Sequence, residues 1–188
     1  MGNRLSNIRI AVLATDGFEQ SELMEPVAAF KSEGATVNIL APSPAEGKIR
    51  GWKDKDWGKD VSVDVELGLA RASDYDALIL PGGVINPDKL RTIPEAVDFV
   101  RDFFRSDKIV AAICHGPQTL IEADVVKGRL LTSWPSMKTD LRNAGAQWVD
   151  REAVVDGNLV TSRKPADIPA FIRETLALLE QVTAQSTF

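Results

Sequence analysis

The stretch Ile109-Val110-Ala111-Ala112-Ile113-Cys114-His115-Gly116-Pro117 passes from five apolar residues into a cysteine, a histidine and two turn-shaping residues. A run this short and this apolar reads as a strand covered on both faces. Gly116 leaves room at the turn. Pro117 suits a first helical turn, where its missing N–H has no partner to lose, and the helix is expected to reach about Ala123. The layout is that of a strand–turn–helix elbow, which exposes one side chain at the top of a sheet; Ala112 stands where the first glycine is usual.

The same alternation continues in both directions. Upstream, Ile8–Ala14, Thr36–Leu40 and Ala77–Leu80 read as buried strands, with helices over Glu19–Ser32 and Pro94–Phe104. Leu23, Val27 and Phe30 fall at helical spacing, and Gly34 is placed to stop that helix. Downstream, Met137–Asn143 reads as a short helix ended by Gly145 and Ala153–Ser162 as a hairpin turning at Asp156-Gly157-Asn158. Pro165–Gln181 reads as a closing helix with Ile168, Phe171, Ile172, Leu176 and Leu179 inside. Strands alternating with helices predict an α/β fold, a doubly wound and mostly parallel sheet with helices on both faces. Gly47–Asp64, with Gly51-Trp52, Trp57-Gly58 and alternating charge, reads as a flap rather than a domain boundary. One domain over 1–188 is expected, with a core at about 8–182 and Met1–Asn7 as a short polar lead-in.

Composition excludes several classes. The 188 residues are 44% apolar and 26% charged, and 22 basic against 27 acidic side chains leave a net charge of −5. That is a globular composition without a basic patch, so neither nucleic acid nor an anionic membrane is expected as a partner. Ile8–Leu13 is too short to span a bilayer and no cleavable signal follows it, which predicts a cytoplasmic protein. A single cysteine forms no internal disulfide. A single histidine rules out a His-rich metal site. No glycine-rich phosphate loop follows the first strand, and neither metal nor cofactor is expected. The lone cysteine and the lone histidine are adjacent, Cys114-His115.

In a doubly wound sheet, ligands bind beyond the carboxyl ends of the strands. Four segments meet that description: Thr15–Glu19, Pro81-Gly82-Gly83, Cys114-His115-Gly116 and Thr161-Ser162-Arg163. Only one holds a nucleophile. A free cysteine is commonly a small buried hydrophobe, but at an elbow it faces the positive end of a helix, which favours thiolate. The elbow aims backbone N–H groups, His115 among them, at an incoming oxyanion, and Gly82-Gly83 supplies more. His115 starts on the other side of the turn from Cys114 and swings to reach the sulfur or a substrate. Glu19, with Glu22 one turn on, reads either as a helix N-terminal acid or as a carboxyl beside the thiolate that keeps a proton at neutral pH. Spacing alone leaves both readings standing.

Asp16-Gly17-Phe18-Glu19, Asp76–Gly83, Ala112-Ile113-Cys114-His115-Gly116-Pro117, Asn143–Ala146, Val154–Asn158 and Thr161–Asp167 resemble the PfpI (intracellular protease I) family of the ThiJ/PfpI superfamily. The resemblance runs from about Ile8 to Leu179, and the flap is most like bacterial general stress protein members. It implies a flavodoxin-like three-layer sandwich with Cys114 as the reactive cysteine and Glu19 as the buried acid beside it. It further implies that His115 is oriented by an acid of the neighbouring subunit, a position matched by Asp88, so that a Cys114–His115–Asp88 triad assembles only in a homodimer, with larger homo-oligomers open. Archaeal proteases of the family carry a tyrosine where this chain has Trp134, which has no hydroxyl to act as an acid and is left as an aromatic pocket wall.

The reading that follows is a stress-protective, cysteine-dependent hydrolase acting on glycated amines or methylglyoxal-type substrates. Two alternatives use the same thiol: an intracellular cysteine peptidase, and a redox sensor whose cysteine is oxidised. A class I glutamine amidotransferase is excluded because no histidine follows His115.

Overall fold

A computed structural model describes residues 4–185; the first three and last three residues of the expected 1–188 unit lie outside the described residues. In chain order the elements are β1 (Arg9–Leu13), β2 (Phe18–Glu19), α1 (Gln20–Ser32), β3 (Thr36–Ala41), β4 (Lys48–Lys53), β5 (Asp56–Ser62), β6 (Val65–Glu66) and β7 (Ala77–Leu80). There follow α2 (Ile85–Leu90), α3 (Pro94–Arg105), β8 (Ile109–Ile113), α4 (Pro117–Glu122), β9 (Leu130–Leu131), α5 (Lys138–Asn143), β10 (Gln147–Trp148), β11 (Ala153–Asp156), β12 (Leu159–Ser162) and α6 (Ile168–Gln185).

Seven strands form one sheet in the order β11-β12-β8-β7-β1-β3-β6, parallel throughout except for the β11–β12 hairpin. Counting only the five longer parallel strands in chain order gives 2-1-3-4-5, the flavodoxin-like arrangement, whose strand order reverses between β1 and β7. The period-two alternation of each strand splits the core in two. Ile10 and Val12 of β1 pack with Ile79, Ile113, Leu23 and Phe30 of α1 and Phe171 of α6. Ala11 and Leu13 face the other way, against Leu78, Leu80, Val100 and Phe103 of α3 and Leu120 of α4. The result is three layers, α1 and α6 on one face and α2 to α5 on the other. Among the described residues no helix is long and apolar enough to cross a membrane.

The sheet ends fix the loops that matter. Asn86 is fully buried, and its side-chain amide donates to the carbonyls of Pro81 at 3.0 Å and Gly82 at 3.2 Å. Its Oδ1 accepts the Thr15 N–H at 2.8 Å. One side chain thus ties the loop after β1 to the loop after β7, at the switch point. The expected flap is a hairpin of β4 and β5, anchored by β2 pairing with Gly51 and Trp52. Part of the expected polar lead-in behaves differently: Leu5 is fully buried, because its N–H bonds the Glu33 carbonyl at 2.9 Å and draws the side chain into the core beside α1 and α6.

Candidate active site

Cys114 directly follows β8 with φ at +62°, a left-handed conformation that a non-glycine residue rarely adopts. Three contacts impose it. The Cys114 N–H donates to Ser162 O at 3.0 Å, its carbonyl accepts the Trp134 N–H at 2.9 Å, and Gly116 N–H closes the turn on Ile113 O at 2.8 Å. A Cβ at Gly116 would stand 2.5 Å from Leu80 O, so the turn demands glycine there. Backbone strain of this kind, held by surrounding bonds, marks a side chain placed for use.

The acid beside that sulfur is Glu22, not Glu19. Glu22 has no exposed surface, and its Oε2 accepts the Gly82 N–H at 2.9 Å. The Cys114 thiol interacts with the same carboxyl, and Oε1 has no further hydrogen-bond partner. Glu19 fails to take this place for a conformational reason. It caps α1 with an extended backbone (φ −64°, ψ 119°) and stays half-buried on the pocket wall, where Oε1 accepts from Ser21 Oγ at 3.3 Å. Glu22 lies inside the helix, on the same stripe as the buried Leu23, Pro26, Val27 and Phe30.

Burial pushes the Glu22 carboxyl up to about 8, against the lowering by the Cys114 thiol and the Gly82 amide and with a smaller push upward from the charge of Glu19. At neutral pH Glu22 therefore keeps its proton. Burial also raises the Cys114 thiol, and a charged Glu22 raises it further, while the backbone amides of Gly83 and His115 lower it. The expected thiolate from a helix terminus is thus not the dominant effect: α4 is a six-residue helix, and desolvation outweighs it. What favours negative charge on the sulfur is local, two amides and a protonated neighbour.

The expected set of oxyanion amides divides. Gly82 N–H is committed to Glu22, and a Cβ at Gly82 would come 2.5 Å from Glu22 Oε2 and 2.6 Å from Cys114 Cβ. Gly83, at φ +81°, and His115 direct their amides at the sulfur instead. The His115 ring has swung round, with Nδ1 3.3 Å from Cys114 Sγ and Nε2 3.5 Å from Ser136 Oγ. It stacks on Trp134 at 5.9 Å between centroids, and burial lowers its pKa, so the imidazole is neutral near pH 7. Asp88 is exposed in the first turn of α2, where Oδ1 accepts from Gln118 Nε2 at 3.5 Å; it is not brought to the His115 of its own chain.

These groups open into a cavity of about 290 Å³ lined by Glu19, Glu22, Gly83, Cys114, His115 and Trp134 and closed by Trp52, Asp54, Val84 and Pro165. Trp52 and Asp54 come from the flap, to which the sequence pattern alone assigns no role in the site. The signal was present, since a tryptophan beside a glycine in a charged hairpin has no core to enter. Larger grooves elsewhere, including one of about 750 Å³ beside α3, are not lined by Cys114 or His115. Among the described residues no cluster of three or more His, Cys, Asp or Glu is arranged to hold a metal.

A sequence model of the DJ-1/PfpI family matches residues 8–178. General stress protein 18 of Bacillus subtilis is 45% identical over 174 residues, covering 92% of this chain and 98% of its own. Protein/nucleic acid deglycase 2 of Escherichia coli is 46% identical over 172 residues, covering 91% and 97%. Among solved structures, a two-domain Anabaena variabilis protein with DJ-1/ThiJ/PfpI-like and ferritin-like domains aligns with a TM-score of 0.86 at 38% identity; the match covers 92% of this chain and 48% of that one.

Proposed function

The chain belongs to the DJ-1/PfpI family, and on that premise we propose a cysteine-dependent hydrolase of carbonyl-damaged amines and methylglyoxal-type adducts. The observation that carries this reading is a strained Cys114 between a protonated Glu22 and a neutral His115, in a cavity of about 290 Å³. That volume lies at the small end of ligand sites, sized for a three-carbon adduct and the first atoms of its amine rather than for an extended polypeptide. The name of the similar Escherichia coli deglycase supports the same chemistry.

His115 Nδ1 takes the thiol proton, and Glu22 and the Gly83 amide support the charge left on sulfur. The sulfur attacks the carbinol carbon of the adduct; a C–S bond forms, the C–N bond breaks, and His115 returns its proton to the departing amine. A hemithioacetal stays on Cys114. Transfer of one proton from its carbon to the neighbouring carbonyl carbon, through an enediol, gives a 2-hydroxy thioester by internal redox with no external oxidant. Water then cleaves the C–S bond and releases a 2-hydroxy acid and the free thiol.

The Glu22 Oε1 without a further partner favours a second reading, since an oxygen added to the sulfur by peroxide would bond to it. In both readings a homodimer completes the site, Asp88 of one subunit orienting His115 of the other. The exposure of Val84 (65%) and Trp134 (38%) at the pocket mouth supports a partner covering this edge. A reducing cytoplasm suits a single thiol of this kind.

Methylglyoxal, a glycated amine and a peptide, each tested with wild type and Cys114→Ala, decide the matter. The expected result is turnover of the first two by wild type only, with the variant folded. Unchanged turnover by Cys114→Ala removes every thiol mechanism, and preferred cleavage of the peptide puts the peptidase reading first.

A further inference from the structure

Gly82 and Gly83 are the only adjacent glycines in the chain, so the peptide joining them has no Cβ on either side to hinder its rotation. That peptide carries the Gly83 N–H, one of the two amides directed at the Cys114 sulfur. Among the described residues no peptide bond is cis, so the Gly82 carbonyl points opposite to the Gly83 N–H. Whatever holds the carbonyl therefore aims the amide. Two donors hold it, the Glu19 N–H at 3.2 Å and Asn86 Nδ2 at 3.2 Å. The first is backbone. The second belongs to a side chain with no exposed surface, whose Nδ2 also donates to Pro81 O at 3.0 Å and whose Oδ1 accepts the Thr15 N–H at 2.8 Å.

We propose that Asn86 is a positioning residue of the reaction: by holding the Gly82 carbonyl, it keeps the Gly83 N–H turned toward the charge that develops on the sulfur. The proposal rests on the nucleophilic role of Cys114 and deepens it. A donor stabilises such charge best when it is aimed beforehand and needs no reorganisation as the charge forms. Between two glycines the chain itself does not supply that aim. A flip of the peptide would swing the Gly82 carbonyl toward the sulfur and replace attraction with repulsion. The Gly82 N–H cannot substitute, because it belongs to the preceding peptide and is bound to Glu22 Oε2 at 2.9 Å. Nor can a stiffer residue replace Gly83, whose φ is +81° and whose Cβ position lies 2.5 Å from Gly17 O. The stiffness has to come from outside the loop. A buried amide whose donors and acceptor are all engaged supplies it.

Two readouts need no turnover. The first is alkylation by iodoacetamide, in which the thiolate attacks the methylene carbon, a C–S bond forms and iodide leaves; Cys114 is the only thiol. The second is the Gly83 amide signal in a proton–nitrogen correlation spectrum, compared between each protein and its Cys114→Ala counterpart. Asn86→Asp keeps an oxygen for the Thr15 N–H and removes the donor to Gly82. Asn86→Ser shortens the side chain without adding charge. Both variants are expected to be alkylated about three- to tenfold more slowly than wild type at the same pH. The Gly83 signal moves in the wild type when the sulfur is removed, and moves less in both variants. A merely structural part for Asn86 would lower the unfolding temperature and leave that amide facing the sulfur. Wild-type alkylation of Asn86→Ser, or a Gly83 signal in it as sensitive to the sulfur as in wild type, overturns the positioning role and leaves the nucleophile intact. Slowing confined to Asn86→Asp is an effect of its charge and overturns the role equally. So does a wild-type Gly83 signal that ignores the sulfur, a result that requires no folded Asn86 variant. Failure of wild-type Cys114 to be alkylated at all overturns the nucleophile and the positioning role together.

Discussion

Glu22→Gln makes the protonation of the buried carboxyl measurable. Glutamine has the shape of a protonated glutamic acid and still offers an oxygen to the Gly82 N–H, now bonded to Oε2 at 2.9 Å. In the unfolded chain Glu22 loses its proton near the ordinary 4.5, whereas in the fold burial holds it until about 8. Between those limits the native state binds more protons than the unfolded state, so wild-type stability falls as pH rises relative to the variant. The gap widens by about 1.4 kcal/mol per pH unit and flattens above pH 8, approaching an upper bound of about 5 kcal/mol. At pH 7 the variant is then the more stable protein by up to about 3 kcal/mol, relative to its standing at pH 4.5. His115 acts in the opposite sense, because its lowered pKa makes the fold gain stability as pH rises through the ordinary histidine range. That contribution is common to both proteins and cancels in the difference. Urea unfolding at pH steps from about 5 to 9 supplies the measurement. Parallel curves for the two proteins, or a gap that narrows with pH, would refute a protonated Glu22.

The remaining predictions concern the elbow and its partner. Gly82→Ala forces a methyl to within 2.5 Å of Glu22 Oε2 and 2.6 Å of Cys114 Cβ, two groups the fold cannot spare. It should cost about 1–3 kcal/mol in thermal unfolding and slow alkylation of Cys114 by about tenfold or more; a protein alkylated at the wild-type rate would contradict the close packing described. Asp88→Ala and Cys114→Ala should each be inactive alone and recover part of the activity when mixed, since a hybrid dimer keeps one intact Cys114–His115–Asp88 site. No recovery, with subunit exchange verified by mass, would count against a shared site.

The fold was readable because its signals are local. Val12 and Ile79 sit in runs so apolar that only two-sided burial explains them, and the helix over Pro94–Arg105 declares its inner face through Val97, Val100 and Phe103. Cys114 was equally plain, since a strand ending in Cys-His-Gly-Pro has few other shapes. The short α2 and the bridge between β9 and β10 were not readable, because segments of two to six residues have too little length to show a period. The flap's share in the pocket was hidden for another reason: Trp52 and Asp54 reach the site only through pairing of β4 with β2, a contact between segments more than thirty residues apart.

The exchange of Glu19 for Glu22 shows where sequence logic needs one more step. Both acids stand at spacings that reach the buried stripe of α1, and neither composition nor charge separates them. The backbone separates them. Helical phase governs a side chain only once its residue is inside the helix, and Glu19 is the capping residue with extended dihedrals, free to lean toward solvent and Ser21. Glu22 has no such freedom, flanked on its stripe by Leu23, Pro26 and Val27. A carboxyl in that setting needs a reason to be buried, and Gly82 gives it one by lacking the side chain that would keep the two apart. A glycine in one loop and an acid on the apolar stripe of another element are thus one feature of the site, and the reactive sulfur lies where the two meet.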